Sequence, residues 1–246
     1  MKKKILTIVL MSLMGFVSFA GKSAPYTHKG YTSKEIMKLG EANAKEIKWV
    51  TVEDIRKSLE GVKPIVVSFD IDDTVLASSP CFFYGKNEFS KNGVKFTRNQ
   101  DFWDYIDEMA CDKFSIPKNS SREIIKMHLD RGDTIIFITG RTASKYSTND
   151  KLDSTAIILQ KEFGIINMKP ISYRTEETKK ANTYDKTYYI KKYNVKLHYG
   201  DSDDDILAAK EAGIRGIRVM RTLNSTNTSG ANNGGYGEEV VIDSAY

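Results

Sequence analysis

The sequence predicts an α/β domain, a parallel β-sheet covered by helices on both faces. Three observations carry this. Apolar, β-rich runs recur at Ile65-Val66-Val67-Ser68-Phe69, Thr134–Ile138, Met168–Tyr173, Val195–Tyr199 and Gly216–Met220; such continuous runs suit strands buried on both faces, as in parallel sheets. Helical stretches with start and stop signals alternate with them, the rhythm of βαβ units. Carboxylates cluster just after the first and fourth runs, at the edge where open α/β sheets bind ligands.

Taken in order, Lys2, Lys3 and Lys4 precede an apolar run from Ile5 to Val17, and Ser18 and Ala20 occupy the −3 and −1 positions of a cleavage site. Residues 1–20 therefore read as a secretory signal peptide, the run being short for a membrane span; the alternative is an uncleaved anchor. A polar leader follows over 21–31, then an amphipathic helix over Ser33–Ile47. Thr51–Leu59 is a second helix, with Thr51 as cap, Asp54 three residues on and Gly61 beyond its end. Ser120 with Glu123 predicts a capping box opening a helix that Gly132 closes. Helices are also expected over Lys151–Phe163 (closed by Gly164), Asp185–Tyr193 (followed by Asn194) and Ile206–Ala212 (closed by Gly213). About 77–118 breaks the rhythm with nine aromatics and reads as a small inserted cap. A polar, Gly-rich loop spans 222–239, and Val240–Ile242 forms a late strand. The whole is a Rossmann-like sheet, with one domain over 21–246.

The chain has 246 residues, 40% hydrophobic and 28% charged, an ordinary globular composition. The net charge of +5 includes the three leader lysines, so the remainder carries +2, which argues against a nucleic-acid polymer as partner. Two cysteines, Cys81 and Cys111, exclude a four-cysteine zinc site. In an exported protein they form one disulfide or remain buried thiols, and the sequence leaves both open.

The chemistry lies in the carboxylates. Asp70-Ile71-Asp72-Asp73 packs three into four residues, and each pair at ~4 Å costs roughly 4 kcal/mol at an effective dielectric of about 20. Gly200-Asp201-Ser202-Asp203-Asp204-Asp205 adds four more at the same sheet edge. A solvated acidic turn or helix capping would account for either cluster alone. Their convergence points to a hard divalent cation, with Mg²⁺ favoured because few protein ligands leave room for water and phosphate. Thr139-Gly140-Arg141 ends the second run, a hydroxyl and backbone N–H groups expected ahead of a helix and able to hold an anion, or else an ordinary turn. Lys186, opening a helix, could reach the same edge.

In order and spacing, Asp70-x-Asp72-x-Thr74, a strand ending in Thr139, Lys186, and Gly200-Asp201-x-x-x-Asp205 resemble the haloacid-dehalogenase superfamily. More narrowly, the chain resembles the class B acid phosphatases over most of 45–246, including Ser78-Ser79-Pro80, Phe114-Ser115-Ile116-Pro117, Asn224-Ser225-Thr226 and Gly237-Glu238-Glu239-Val240. The resemblance implies Asp70 as nucleophile, Asp72 as general acid and base, and Mg²⁺ held by Asp70, the Asp72 main-chain carbonyl and Asp201. It implies Thr139, Gly140 and Lys186 on the phosphate, with Asp205 supporting Lys186. It further implies nucleotide monophosphates among small phosphomonoester substrates, phosphotransfer to alcohols, a homotetramer, and a periplasmic location without stable membrane association. Arg141 and Phe82, the latter close to the motif, are candidates for substrate contact. Two other readings of the clusters are a phospho-accepting domain without turnover and a metal-dependent binding domain; Asp72 argues against the former, which needs no acid at that spacing.

Overall fold

The computed structural model describes residues 47–90, 95–148, 150–222, 225–226 and 236–246. The predicted signal peptide, the polar leader and all but the last residue of the helix expected over Ser33–Ile47 lie outside the described residues.

The described chain runs β1 (Lys48–Val50), α1 (Val52–Ser58), β2 (Val66–Phe69), β3 (Leu76–Ala77), α2 (Ser79–Phe89), α3 (Gln100–Glu108), β4 (Ile116–Pro117), α4 (Asn119–Asp130), β5 (Thr134–Thr142), α5 (Ser154–Phe163), β6 (Ser172–Arg174), α6 (Glu176–Ala181), α7 (Lys186–Lys192), β7 (Leu197–Gly200), α8 (Asp203–Glu211), β8 (Arg215–Arg218) and β9 (Glu239–Val241). Seven strands pair in parallel in the order β1-β9-β8-β7-β2-β5-β6. This is the predicted α/β class, and it places β2 between β5 and β7.

The apolar runs become strands because both their faces are buried. In β5, Ile135 and Phe137 join the cluster that α1, α4 and α5 cover with Ile55, Ile125 and Leu159. Ile136 and Ile138 point the other way, onto Ile190 of α7 and Ala208 of α8. Phe69 of β2 stacks on Tyr199 of β7, ring centroids 4.7 Å apart. The Tyr199 hydroxyl meets Nε2 of buried His128 at 2.8 Å, and the other ring nitrogen faces Asp133 at 2.7 Å.

Several ends follow the sequence signals. Thr51 and Asp54 form a capping box on α1, and Gly132, Gly164, Gly213 and Asn194 take positive φ after their helices. The capping box expected at Ser120 does not form. There α4 already starts at Asn119, with Lys118 as its cap residue and no side-chain cap. The C-terminal residues lie across this helix start instead: the Ser120 N–H donates to the Tyr246 carbonyl (3.2 Å) and its hydroxyl to the Ser244 carbonyl (3.3 Å). One donor that a cap would satisfy, the Ser120 N–H, is thus met by the Tyr246 carbonyl.

Between antiparallel β3 and β4, α2 and α3 pack around Phe82, Phe102, Trp103 and Ile106. Gly85 lets α2 approach α3, since a Cβ there would lie 2.2 Å from the Phe102 ring. Cys81 and Cys111 are joined as a disulfide, resolving the alternative that the sequence left open.

Candidate active site

Because β2 lies between β5 and β7, the carboxyl ends of β2 and β7 bring Asp70 and Asp201 together, and Thr139, within β5, lies two residues beyond Phe137, the register partner of Phe69. The Asp70 N–H still donates to the Tyr199 carbonyl (2.8 Å), so the ladder reaches the first acidic residue. A turn follows, in which the Asp73 N–H donates to the Leu76 carbonyl (2.7 Å) and the Val75 N–H to the Ile71 carbonyl (3.0 Å). It directs Ile71 and Val75 into the core. Asp73 bears the conformational load, at φ 59°, a region in which Asp is better tolerated than most residues. Its buried carboxylate accepts from Thr222 Oγ1 (2.9 Å) and Ser225 Oγ (2.5 Å). Burial and neighbouring Asp201 nonetheless push its carboxyl up to about 6.

Lys186 sits at the first turn of α7, and its ammonium donates to Asp70 Oδ1 and Asp205 Oδ1, each at 2.5 Å. Burial disfavours this charge, but Asp205 and Asp70 outweigh burial and hold the ammonium protonated. Asp205 also closes the capping box of α8 with Ser202 and faces Nε2 of His198 at 3.2 Å. Burial pushes His198 down, toward the neutral ring, and its Nδ1 meets Ser68 Oγ at 2.7 Å. Gly200 permits this packing, for a Cβ there would lie 2.2 Å from the Asp205 side chain.

Asp70, Asp201 and Asp205 are buried, and each offers an oxygen within 4.8 Å of the others. Their environments differ. Both Asp205 oxygens are taken by Lys186, His198 and Ser202. Asp70 Oδ2 and Asp201 Oδ1 meet only the Thr74 hydroxyl among the described residues, at 3.3 and 3.5 Å. Burial pushes the Asp70 carboxyl well up, and Asp205, Asp201 and Asp72 add to this against the pull of Lys186. The cluster is short of positive charge, and two hard oxygens face the gap. That donor set fits a divalent cation such as Mg²⁺.

Thr139 is buried, and its Oγ1 accepts from the Arg141 N–H at 3.2 Å. The helix start expected behind Gly140 is absent: β5 continues to Thr142, and α5 begins only at Ser154, capped by Asp153. The peptide at Gly140 therefore has no helix dipole behind it, and nothing lies within 4 Å of where its Cβ would be. The Arg141 guanidinium turns to Asp72, with Nε donating to Oδ2 (2.9 Å) and Nη2 to Oδ1 (2.6 Å), and to Asp112, with Nη1 donating to Oδ2 (2.6 Å). It lies 5.7 Å from the centroid of Phe82, whose ring is mostly buried among Phe96, Phe102 and Trp103.

Three residues joined to this network were absent from the sequence expectations. Arg221 binds Asp201; its only sequence signal is a cation directly after an apolar run. Asp112 pairs with Arg141 and carries no signal. Lys118 donates to the carbonyls of Asp73 (2.8 Å) and Met220 (2.6 Å), and burial pushes its ammonium down to about 7.

A parallel sheet of this order with acidic clusters at its carboxyl edge has the haloacid-dehalogenase fold. The family model for "HAD superfamily, subfamily IIIB (Acid phosphatase)" matches residues 22–229. A class B acid phosphatase of Haemophilus influenzae is 46% identical over 244 residues, covering 99% of this chain and 98% of that one. Those of Haemophilus parainfluenzae and of a Marinomonas species are 47% and 44% identical, covering 99% and 98% of this chain and 98% and 97% of theirs. The chain thus belongs to the class B acid phosphatases of subfamily IIIB and is a phosphoric monoester hydrolase.

Proposed function

We propose that this phosphatase hydrolyses small organic phosphomonoesters, nucleotide monophosphates and aryl phosphates among them, through an aspartyl-phosphate on Asp70. The observation that carries the reading is the position of Asp70 at the end of the central strand, its one oxygen held by Lys186 and the other facing Asp201 across Thr74. An Asp70 oxygen attacks phosphorus as the ester P–O bond breaks, and Asp72, which takes up a proton from solvent and gives up one of its two bonds to Arg141 for this step, passes that proton to the leaving alkoxide. Asp72 then takes a proton from water; the water oxygen attacks phosphorus, and the bond to Asp70 breaks, releasing phosphate. An alcohol in place of water gives phosphotransfer. Thr139 Oγ1, the Gly140 N–H and Lys186 hold the phosphate oxygens, and Asp205 keeps Lys186 aimed. Asp70, the Asp72 main-chain carbonyl and Asp201 would hold Mg²⁺, which would supply charge neutralisation between nucleophile and phosphate.

Residues 1–20 support export to the periplasm, and no helix among the described residues is long and apolar enough to cross a membrane. Likeness to the family supports a homotetramer, and the segment about 77–118 serves as a cap over the site. A colour assay with p-nitrophenyl phosphate tests the reading: activity is lost on chelation and restored by Mg²⁺. Full activity after exhaustive chelation contradicts it.

Substrate choice falls to Phe82 on the leaving-group side; the guanidinium of Arg141, the other candidate, is buried and spent on Asp72 and Asp112. Stacking on a base is worth roughly 1–3 kcal/mol, so Phe82→Ala should lower kcat/KM for nucleotides and aryl phosphates by about 5- to 100-fold. Glycerol phosphate, with no ring, loses much less. The comparison is made on protein of unchanged Tm, since Phe82 also fills core volume; parallel losses on both substrate types remove Phe82 from recognition.

A further inference from the structure

Two of the side chains that meet Arg141 each follow a half-cystine: Phe82 comes after Cys81, and Asp112 after Cys111. Arg141 and Asp112 are 2% and 1% exposed. A guanidinium so buried needs carboxylate partners, and removing one leaves a costly uncompensated charge. Its two partners are not equivalent. Asp112 has both oxygens fully engaged: Oδ1 accepts from Ser115 Oγ and Arg141 Nη2, each at 3.1 Å, and Oδ2 from Thr155 Oγ1 (2.8 Å) and Arg141 Nη1 (2.6 Å). Asp112 is thus tied to its own turn, to α5 and, through the adjoining Cys111, to α2. The Asp72 side chain is 17% exposed and is gripped by Arg141 alone among the described side chains. Bidentate contact fixes the plane of that carboxylate. The rigid end of the chain is therefore Asp112, and the end facing the reaction is Asp72.

We propose that Asp112 and the Cys81–Cys111 disulfide form a positioning unit that, through Arg141, sets the orientation of the Asp72 carboxylate for proton transfer. The proposal rests on the reading of Asp72 as general acid and base. It assigns to the disulfide a role in the reaction's geometry, since the bond braces the two backbone segments that carry Asp112 and Phe82. Neither Asp112 nor the disulfide touches the substrate.

The test compares the wild type, Asp72→Asn, Asp112→Asn and the double variant on two esters. Glycerol phosphate has a poor leaving group that needs protonation, and p-nitrophenyl phosphate has a good one that does not. General acid catalysis contributes about 10²- to 10⁴-fold, and misorientation forfeits part of it. Asp112→Asn should lower kcat for glycerol phosphate by about 10- to 100-fold, with KM nearly unchanged. The burst rate with p-nitrophenyl phosphate should fall far less. In the Asp72→Asn background, Asp112→Asn should cost almost nothing more, because both act through one proton transfer. Cys81→Ala with Cys111→Ala keeps every charge and should reproduce the leaving-group pattern at smaller size, which preserves the test if Asp112→Asn does not fold. If Asp72→Asn itself shows no leaving-group-selective loss, the acid role fails, and the positioning role with it. If Asp72→Asn shows the loss while the folded Asp112 or cysteine variants do not, the positioning role alone is overturned. Losses equal on both esters and additive in the double variant also overturn it, as they indicate structural damage.

Discussion

Asp70→Asn should abolish turnover, by on the order of 10⁴-fold or more, as for loss of other enzymatic nucleophiles. It should also abolish covalent labelling by phosphate. An amide has nearly the shape of the carboxylate but lacks the charge and the nucleophilic oxygen. The fold should survive. Lys186 keeps Asp205 at 2.5 Å, so no buried cation is stranded. Burial and the three neighbouring carboxylates disfavour ionised Asp70 against the pull of Lys186; neutralising it removes both, and Tm without added cation should stay close to that of the wild type. Rapid quenching with a phosphate-labelled ester, followed by denaturation, checks the chemistry, and a thermal melt checks the fold. A variant that still turns over, or still carries label, removes Asp70 from the mechanism.

What the sequence revealed and what it hid divide along the range of the interactions. The β5 run was legible because burial on two faces leaves a local mark, with Ile135 and Ile136 apolar side by side although they enter opposite layers. The start of α1 was legible because caps act over three residues, as Thr51 with Asp54 shows; for α8 the Gly213 stop was legible, but its start, expected at Ile206, lies at Asp203 behind the Ser202 cap. β1 was missed: Lys48-Trp49-Val50 is too short to show a period, and its pairing with β9 joins residues 191 apart, as for Lys48 and Glu239. Ser120 misled because the local signal for a cap was overridden by the C-terminal carbonyls. At the site, Asp70, Thr139 and Asp201 could be placed on one edge because each follows an apolar run in a parallel sheet. The partners of Arg141 could not. Asp72 and Asp112 lie 69 and 29 residues from it, and only the folded chain brings an insertion residue to the end of β5. Likewise, the turn expected at Gly140 was an inference from βα spacing, and the long connection from Thr142 to Ser154 defeats it.

Asp201→Ala should remove two things at once, and they can be separated. The first is cation affinity. Asp201 Oδ1 and Asp70 Oδ2 are the oxygens that face the electron-rich gap across Thr74, so losing one should weaken Mg²⁺ binding by more than the about 10- to 100-fold typical for loss of a supporting partner. The second is stability. Among the described residues Arg221, itself 1% exposed, pairs closely with Asp201 and stands 3.7 Å from Asp73, so the variant loses the close carboxylate contact. Breaking a buried ion pair by removing one partner costs about 3–5 kcal/mol, so Tm should fall even without metal. A Mg²⁺ titration followed by melting distinguishes the two. In the wild type, saturation to about 100 times Kd adds about 2.7 kcal/mol, and Tm rises with the cation. In Asp201→Ala, the starting Tm is lower and the same titration produces little rise. A lower starting Tm with an undiminished Mg²⁺-dependent rise would leave Asp201 as the partner of Arg221 only, and would move the cation to oxygens other than those around Thr74.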